Sequence, residues 1–227
     1  LEVEQLIKKI ESEPQRIDGY TLHKRIGGGA FAHVFEATVD RFGNIKGALK
    51  LPANQEAIRD IKTRQVVLSA LGKCPFSTNL MGEGNYNGLP YVVEVFREHT
   101  LDDVIKQNNL MGSLPKYEGV VELGKSLLTG LDYFHRVGET NPDAARRIGL
   151  EVLTHCDIKP SNIMITKDTK TGKAIHEFTD FGIRMEDVPG ANPSIINSAS
   201  LDSIVTGDST LNKNIYAAPE VRQALLF

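Results

Sequence analysis

Hydrophobic and polar positions change their period along this chain. Val3, Leu6, Ile7 and Ile10 recur at helical spacing ahead of Pro14, so the first segment predicts a short amphipathic helix packed on the downstream part of the chain. From Tyr20 to Val95 the pattern is mainly that of strands. Tyr20 to Lys24 and Val34 to Thr38 flank a glycine-rich stretch and predict a hairpin. Ala48-Leu49-Lys50 reads as the next strand, and Leu89 to Phe96 is an apolar run that predicts a buried one. One helix interrupts this region between about Asn54 and Leu71. Beyond it the pattern turns helical, with Thr100 as an N-cap and a long helix from Tyr117 to Val137. The stretch from Gly138 to Leu153, with Glu139-Thr140-Asn141-Pro142-Asp143, predicts a surface insertion. No internal repeat is evident.

Composition narrows the class. The 227 residues are 41% hydrophobic and 24% charged, ordinary values for a globular protein. A net charge of -3 gives no reason to expect a nucleic-acid partner. No apolar run reaches the length of a membrane span, and no signal-peptide pattern opens the chain. The two cysteines, Cys74 and Cys156, do not make a disulfide framework, which points to a reducing, cytoplasmic setting. The chain starts at Leu1 rather than Met, so the natural start is expected to lie upstream.

The chemistry-bearing residues come in a fixed order. His155-Cys156-Asp157-Ile158-Lys159-Pro160-Ser161-Asn162 is followed by Asp180-Phe181-Gly182 and then by Ala218-Pro219-Glu220. Asp157 offers a carboxylate base, and Lys159, two residues on, a cation. Asn162 and Asp180 offer oxygen donors that suit magnesium. Upstream, Ile26-Gly27-Gly28-Gly29 and Val34 form a glycine-rich loop, and Ala48 and Lys50 follow on the next strand. Each piece alone is weak, since aspartates and glycines are ordinary turn residues. Their ordered combination is not.

These motifs correspond to the glycine-rich loop, V-A-I-K, H-R-D-x-x-x-x-N, D-F-G and A-P-E set. The chain therefore resembles the eukaryotic-like serine/threonine protein kinases from about Tyr20 to its end. The resemblance implies an α+β, two-lobed fold. Residues 1–19 would form a leader helix, 20–95 an antiparallel-sheet lobe with one helix, and 96–227 part of a mainly helical lobe. It implies ATP and Mg2+ as cofactors and a protein as substrate. Ile26, Gly27, Gly28, Gly29, Val34 and Ala48 would enclose the nucleotide, with Lys50 on its inner phosphates. Glu94 and Val95 would offer backbone groups to adenine, Val93 would back the pocket, and Met164 would form its floor. Asp157, Lys159 and Lys50 would be the catalytic set, with Asn162 and Asp180 on the metal.

Five departures temper the resemblance. Arg64 stands where the helix after Lys50 should offer a glutamate, so either Asp60 pairs with Lys50 or Lys50 is held another way. Cys156 replaces the arginine that receives an activation-loop phosphate. Lys213 replaces a threonine expected near the catalytic aspartate. The chain also ends seven residues after Glu220, which reads as a truncation of the helical lobe. Within the glycine-rich loop itself, Ala32 replaces the third glycine. Two alternatives stay open: a pseudokinase that binds nucleotide as a scaffold, and an aminoglycoside-kinase-like small-molecule phosphotransferase. Lys159 and Ala218-Pro219-Glu220 argue against the latter.

Overall fold

The computed structural model describes residues 3–12, 15–40 and 45–182. Ala218-Pro219-Glu220, Lys213 and the serines and threonines between 194 and 210 lie outside the described residues. The fold is α+β, an antiparallel sheet unit followed by helices and a second, small sheet.

The first helix, α1 (Val3–Ser12), precedes six strands: β1 (Arg16–Ile17), β2 (Tyr20–Gly28), β3 (Ala32–Val39), β4 (Lys46–Pro52), β5 (Leu80–Tyr86) and β6 (Leu89–Val95). They pair antiparallel in the order β1-β2-β3-β4-β6-β5. Two tight turns set the hairpin registers. Asp18-Gly19 and Asn87-Gly88 hold both central residues at positive φ (46° and 87°, 51° and 87°), the geometry that matches strand twist in two-residue hairpins.

Between β4 and β5 runs α2 (Ile58–Leu71). The helix begins four residues later than its pattern predicts. Asn54 instead closes the preceding turn, its Oδ1 accepting from Ala57 N–H at 2.9 Å.

The sheet is covered on both faces. Leu22, Phe35, Leu49 and Val93 pack with Val3, Ile7 and Ile10 of α1. On the opposite face Ala32 and Val92 meet Ile61 of α2. This second face also carries Lys50, because Lys50 pairs with Val92 and Ala48 with Glu94, and paired residues point to one side.

Next come β7 (His99–Thr100), α3 (Leu101–Leu110), α4 (Tyr117–His135), α5 (Val137–Thr140), α6 (Pro142–Ile148), β8 (Ile163–Lys167) and β9 (Ala174–Phe178). Thr100 caps α3 in a capping box with Asp103. The strands β7, β8 and β9 form a second antiparallel sheet.

The region expected to be a surface insertion is not one. Val137, Ala144, Ala145, Ile148 and Leu153 are buried, and they share a core with Val67 and Leu71 of α2, Phe134 of α4 and Phe178 of β9. The stretch therefore braces the far end of α2. Among the described residues no helix is long and apolar enough to cross a membrane.

Candidate active site

Four buried side chains gather where the large sheet meets the chain leaving β9. Lys50, Glu94, Thr78 and Thr179 are each at most 4% exposed. Lys50 Nζ lies 2.6 Å from Glu94 Oε1 and 2.6 Å from Asp180 Oδ1, and donates to Thr179 Oγ1 at 2.9 Å. Glu94 Oε2 accepts from Thr78 Oγ1 at 2.5 Å and from Thr179 Oγ1 at 2.9 Å. Burying a charge is costly unless it is paired and hydrogen-bonded; Lys50 and Glu94 pair with each other, and the threonines bond Lys50 Nζ and Glu94 Oε2.

Asp180 has a second cationic neighbour. Arg64 Nη1 of α2 lies 2.6 Å from the same Oδ1. Burial pushes the Asp180 carboxyl up, but Arg64 and then Lys50 outweigh it and hold the group well below the usual carboxylate range. Burial also works against the Arg64 charge, and the carboxylates of Asp180 and Glu94 more than offset it. Asp180 keeps 35% of its side chain exposed, enough to meet a ligand. Its backbone sits at φ 59°, a left-handed geometry that aspartate tolerates better than most residues.

The loop after α6 brings Asp157, Lys159 and Asn162 together. Lys159 Nζ donates to Asp157 Oδ2 at 2.8 Å, and Asn162 Nδ2 donates to the same oxygen at 3.0 Å and to the Asp157 carbonyl at 2.9 Å. Both side-chain bonds fall on Oδ2. Committing the Asn162 nitrogen to Asp157 leaves its carboxamide oxygen as the ligand-capable atom.

Backbone contacts tie this loop to the Asp180 segment. Gly182 N–H donates to the His155 carbonyl at 2.7 Å, and Thr179 N–H to the Asn162 carbonyl at 3.0 Å. A Cβ on Gly182 would stand 3.1 Å from Asp157 Cβ and 3.3 Å from the Cys156 carbonyl carbon. That approach is tight enough to explain why glycine follows Phe181. Phe181 itself is buried between Phe134 and His155, with ring centroids 5.1 and 4.7 Å away.

The glycine-rich turn joins β2 to β3, and Gly27 pairs with Val34, which pairs in turn with Lys50. Ile26 and Phe31 are exposed beside it. Ala32 pairs with Pro52 as strand backbone and buries its methyl against Ile61 and Val92. That position therefore requires no glycine. Ala48 is buried, and Met164 is half-buried on β8 opposite Thr100 and Glu177.

The expected roles at the end of β6 need correction. Val93 does not back the cleft, because it faces α1 in the opposite core. Glu94 carries the cleft-facing side chain, and that side chain is an ion-pair partner of Lys50. The Val95 N–H already donates to the Asn79 carbonyl at 2.9 Å. Thr78 and Thr179, part of this centre, are not among the residues the motifs single out. The signal for them is Glu94 itself, a carboxylate inside an apolar strand that must find partners.

The chain is similar to several curated proteins. It is 31% identical over 178 residues to a probable serine/threonine-protein kinase of Bifidobacterium longum, covering 72% of this chain and 22% of that protein. It is 28% identical over 170 residues to a probable serine/threonine-protein kinase of Clostridium perfringens, covering 72% and 21%. It is 27% identical over 177 residues to serine/threonine-protein kinase A of Synechocystis, covering 72% and 30%. The matched stretch thus spans between about a fifth and a third of these relatives' length. No family model matches the chain.

Proposed function

We propose that this chain, which belongs to the serine/threonine protein kinases as a catalytic domain, transfers the γ-phosphoryl group of ATP to serine and threonine hydroxyls of a protein substrate. The observation that carries the reading is the Asp157 carboxylate, held through Oδ2 by Lys159 and Asn162. A carboxylate fixed in this way orients an acceptor hydroxyl and takes its proton, while Lys159 stands beside it to meet the phosphate in flight. Asn162 and Asp180 supply a carboxamide and a carboxylate oxygen, hard donors that fit magnesium, which uses few protein ligands alongside phosphate oxygens. Bound there, magnesium would neutralise phosphate charge. Lys50 would take the inner phosphates from the floor of the sheet. Ile26, Gly27, Gly28, Gly29 and Val34 would lie over the nucleotide, with Ala48 and Met164 on either side of adenine. Val95 would meet the adenine edge through its carbonyl.

A second reading, a nucleotide-binding scaffold without turnover, draws on one observation. The Lys50 ammonium is already satisfied by Glu94, Thr179 and Asp180, and phosphate must compete with them. The test is transfer of the ATP γ-phosphate to protein by the full reading frame, beside its Asp157→Asn variant. The expected outcome is a fall in kcat of about a hundredfold or more, with ATP affinity kept. Equal turnover in both proteins would overturn the mechanism. Affinity without transfer in the parent selects the scaffold, and transfer to aminoglycosides rather than protein would reassign the substrate class.

A further inference from the structure

We infer that Glu94 is the positioning residue for Lys50, doing from within the sheet what a glutamate of the neighbouring helix does in protein kinases, and that Arg64 in that helix holds Asp180 instead. The inference rests on the phosphoryl-transfer reading above. In protein kinases the strand lysine and a glutamate of the following helix form an ion pair that must be in place for activity. Here the helix position facing Lys50 is a cation. The geometry pairs each of these two cations with a carboxylate. Lys50 meets Glu94 at 2.6 Å, and Arg64 meets Asp180 at 2.6 Å.

Three observations support Glu94 as a built anchor. First, its register places it. Glu94 lies opposite Ala48 on the strand next to Lys50, so the two side chains rise from one face of one sheet. Second, its other oxygen is fixed. Thr78 and Thr179 both donate to Oε2, which turns Oε1 toward the ammonium. Third, the pair is enclosed, with side chains 5% and 2% exposed. A buried carboxylate with one oxygen held by two hydroxyls and the other 2.6 Å from a buried ammonium is a specified position rather than a tolerated one.

The arrangement changes what the helix controls. A lysine anchored by its own sheet keeps its place when α2 shifts. Movement of α2 would act on Asp180 through Arg64, and so on the proposed metal site first, reaching Lys50 only through its own pair with Asp180.

The test uses the full-length protein, with steady-state kinetics in ATP and direct MgATP affinity. Glu94→Gln keeps the shape of the side chain and removes its charge. It should raise KM for ATP about tenfold or more and weaken MgATP binding to match. A merely structural role would reduce the active fraction and leave KM unchanged. The compensating variant Glu94→Met with Arg64→Glu returns the carboxylate to the helix, and it should recover KM to within a few fold of the parent. Unchanged KM and affinity in folded Glu94→Gln would overturn the inference, as would a double variant no better than Glu94→Met alone. Affinity reads the anchor even in a protein that transfers no phosphate, so the two readings fail separately.

Discussion

His155 sits under the loop of Asp157, Lys159 and Asn162, 1% exposed, with its ring against Phe178 and Phe181. Burial drives its imidazole down to about 4, despite a bond to the Thr179 carbonyl that favours the charged form. The ring is therefore neutral at pH 7. It donates from Nε2 to Thr179 at 3.0 Å and turns Nδ1 toward the Asp157 N–H. As pH falls below about 6.5, the unfolded chain takes up a proton that the folded chain refuses. Stability present above that pH is lost on the way down to about 4. The expected loss between pH 7 and 5 is about 2 kcal/mol, read from urea midpoints. His155→Phe should flatten that slope. A parent equally stable at both pH values would show that the imidazole is not buried neutral.

Residue identity makes much of this centre legible in advance. Asp157, Lys159, Asn162, Asp180 and Lys50 come from motifs whose spacing is short; they form two side-chain groups, Asp157 with Lys159 and Asn162, and Lys50 with Asp180, joined through backbone hydrogen bonds. Glu94 does not follow the same route. The run from Leu89 to Val95 is buried on both faces of its sheet, so it shows no alternation to reveal which side chains face the cleft. A shift of one residue in such a strand moves every side chain to the other face, and that is the difference between Val93 and Glu94.

At the scale of elements, α6 changes the reading of the chain most. Its Ala144, Ala145 and Ile148 recur on one helical face. Asn141 caps its start, accepting from Ala144 N–H at 3.1 Å, and Pro142 follows at the first turn. Those cues are present in the sequence but are outweighed by the polar turn residues ahead of them. The helix packs with Val67 and Leu71 of α2, and α2 carries Arg64. Ile148→Ala should therefore cost about 2–5 kcal/mol of stability and lower hydrogen-exchange protection along α2. Arg147→Ala, at an exposed neighbour, should stay within about 0.5 kcal/mol of the parent. Undiminished protection of α2 in Ile148→Ala would show that the brace is not mechanical.

At the scale of the whole molecule, the two sheets are stitched together around the cleft. Arg97 forms a two-pronged pair with buried Glu177, at 2.5 and 2.8 Å. Thr78 N–H donates to the Phe178 carbonyl, and Phe178 N–H to that of Phe76. Lys50 and Glu94 reach from the large sheet to Thr179 and Asp180 beyond the small one. A ligand held between these parts stabilises the fold by mass action, about 2.7 kcal/mol at a hundred times its Kd. For a chain of this size that is a rise in Tm of about 5–10 °C. If magnesium binds at Asp180 as proposed, where Arg64 and Lys50 keep the carboxylate ionised, the rise should depend on magnesium. ATP with magnesium should lift Tm, and ATP with a chelator should lift it far less. Asp180→Ala should erase the difference between the two conditions. An equal shift with and without magnesium in the parent would remove Asp180 from the metal site, leaving its two cations as the whole of its environment.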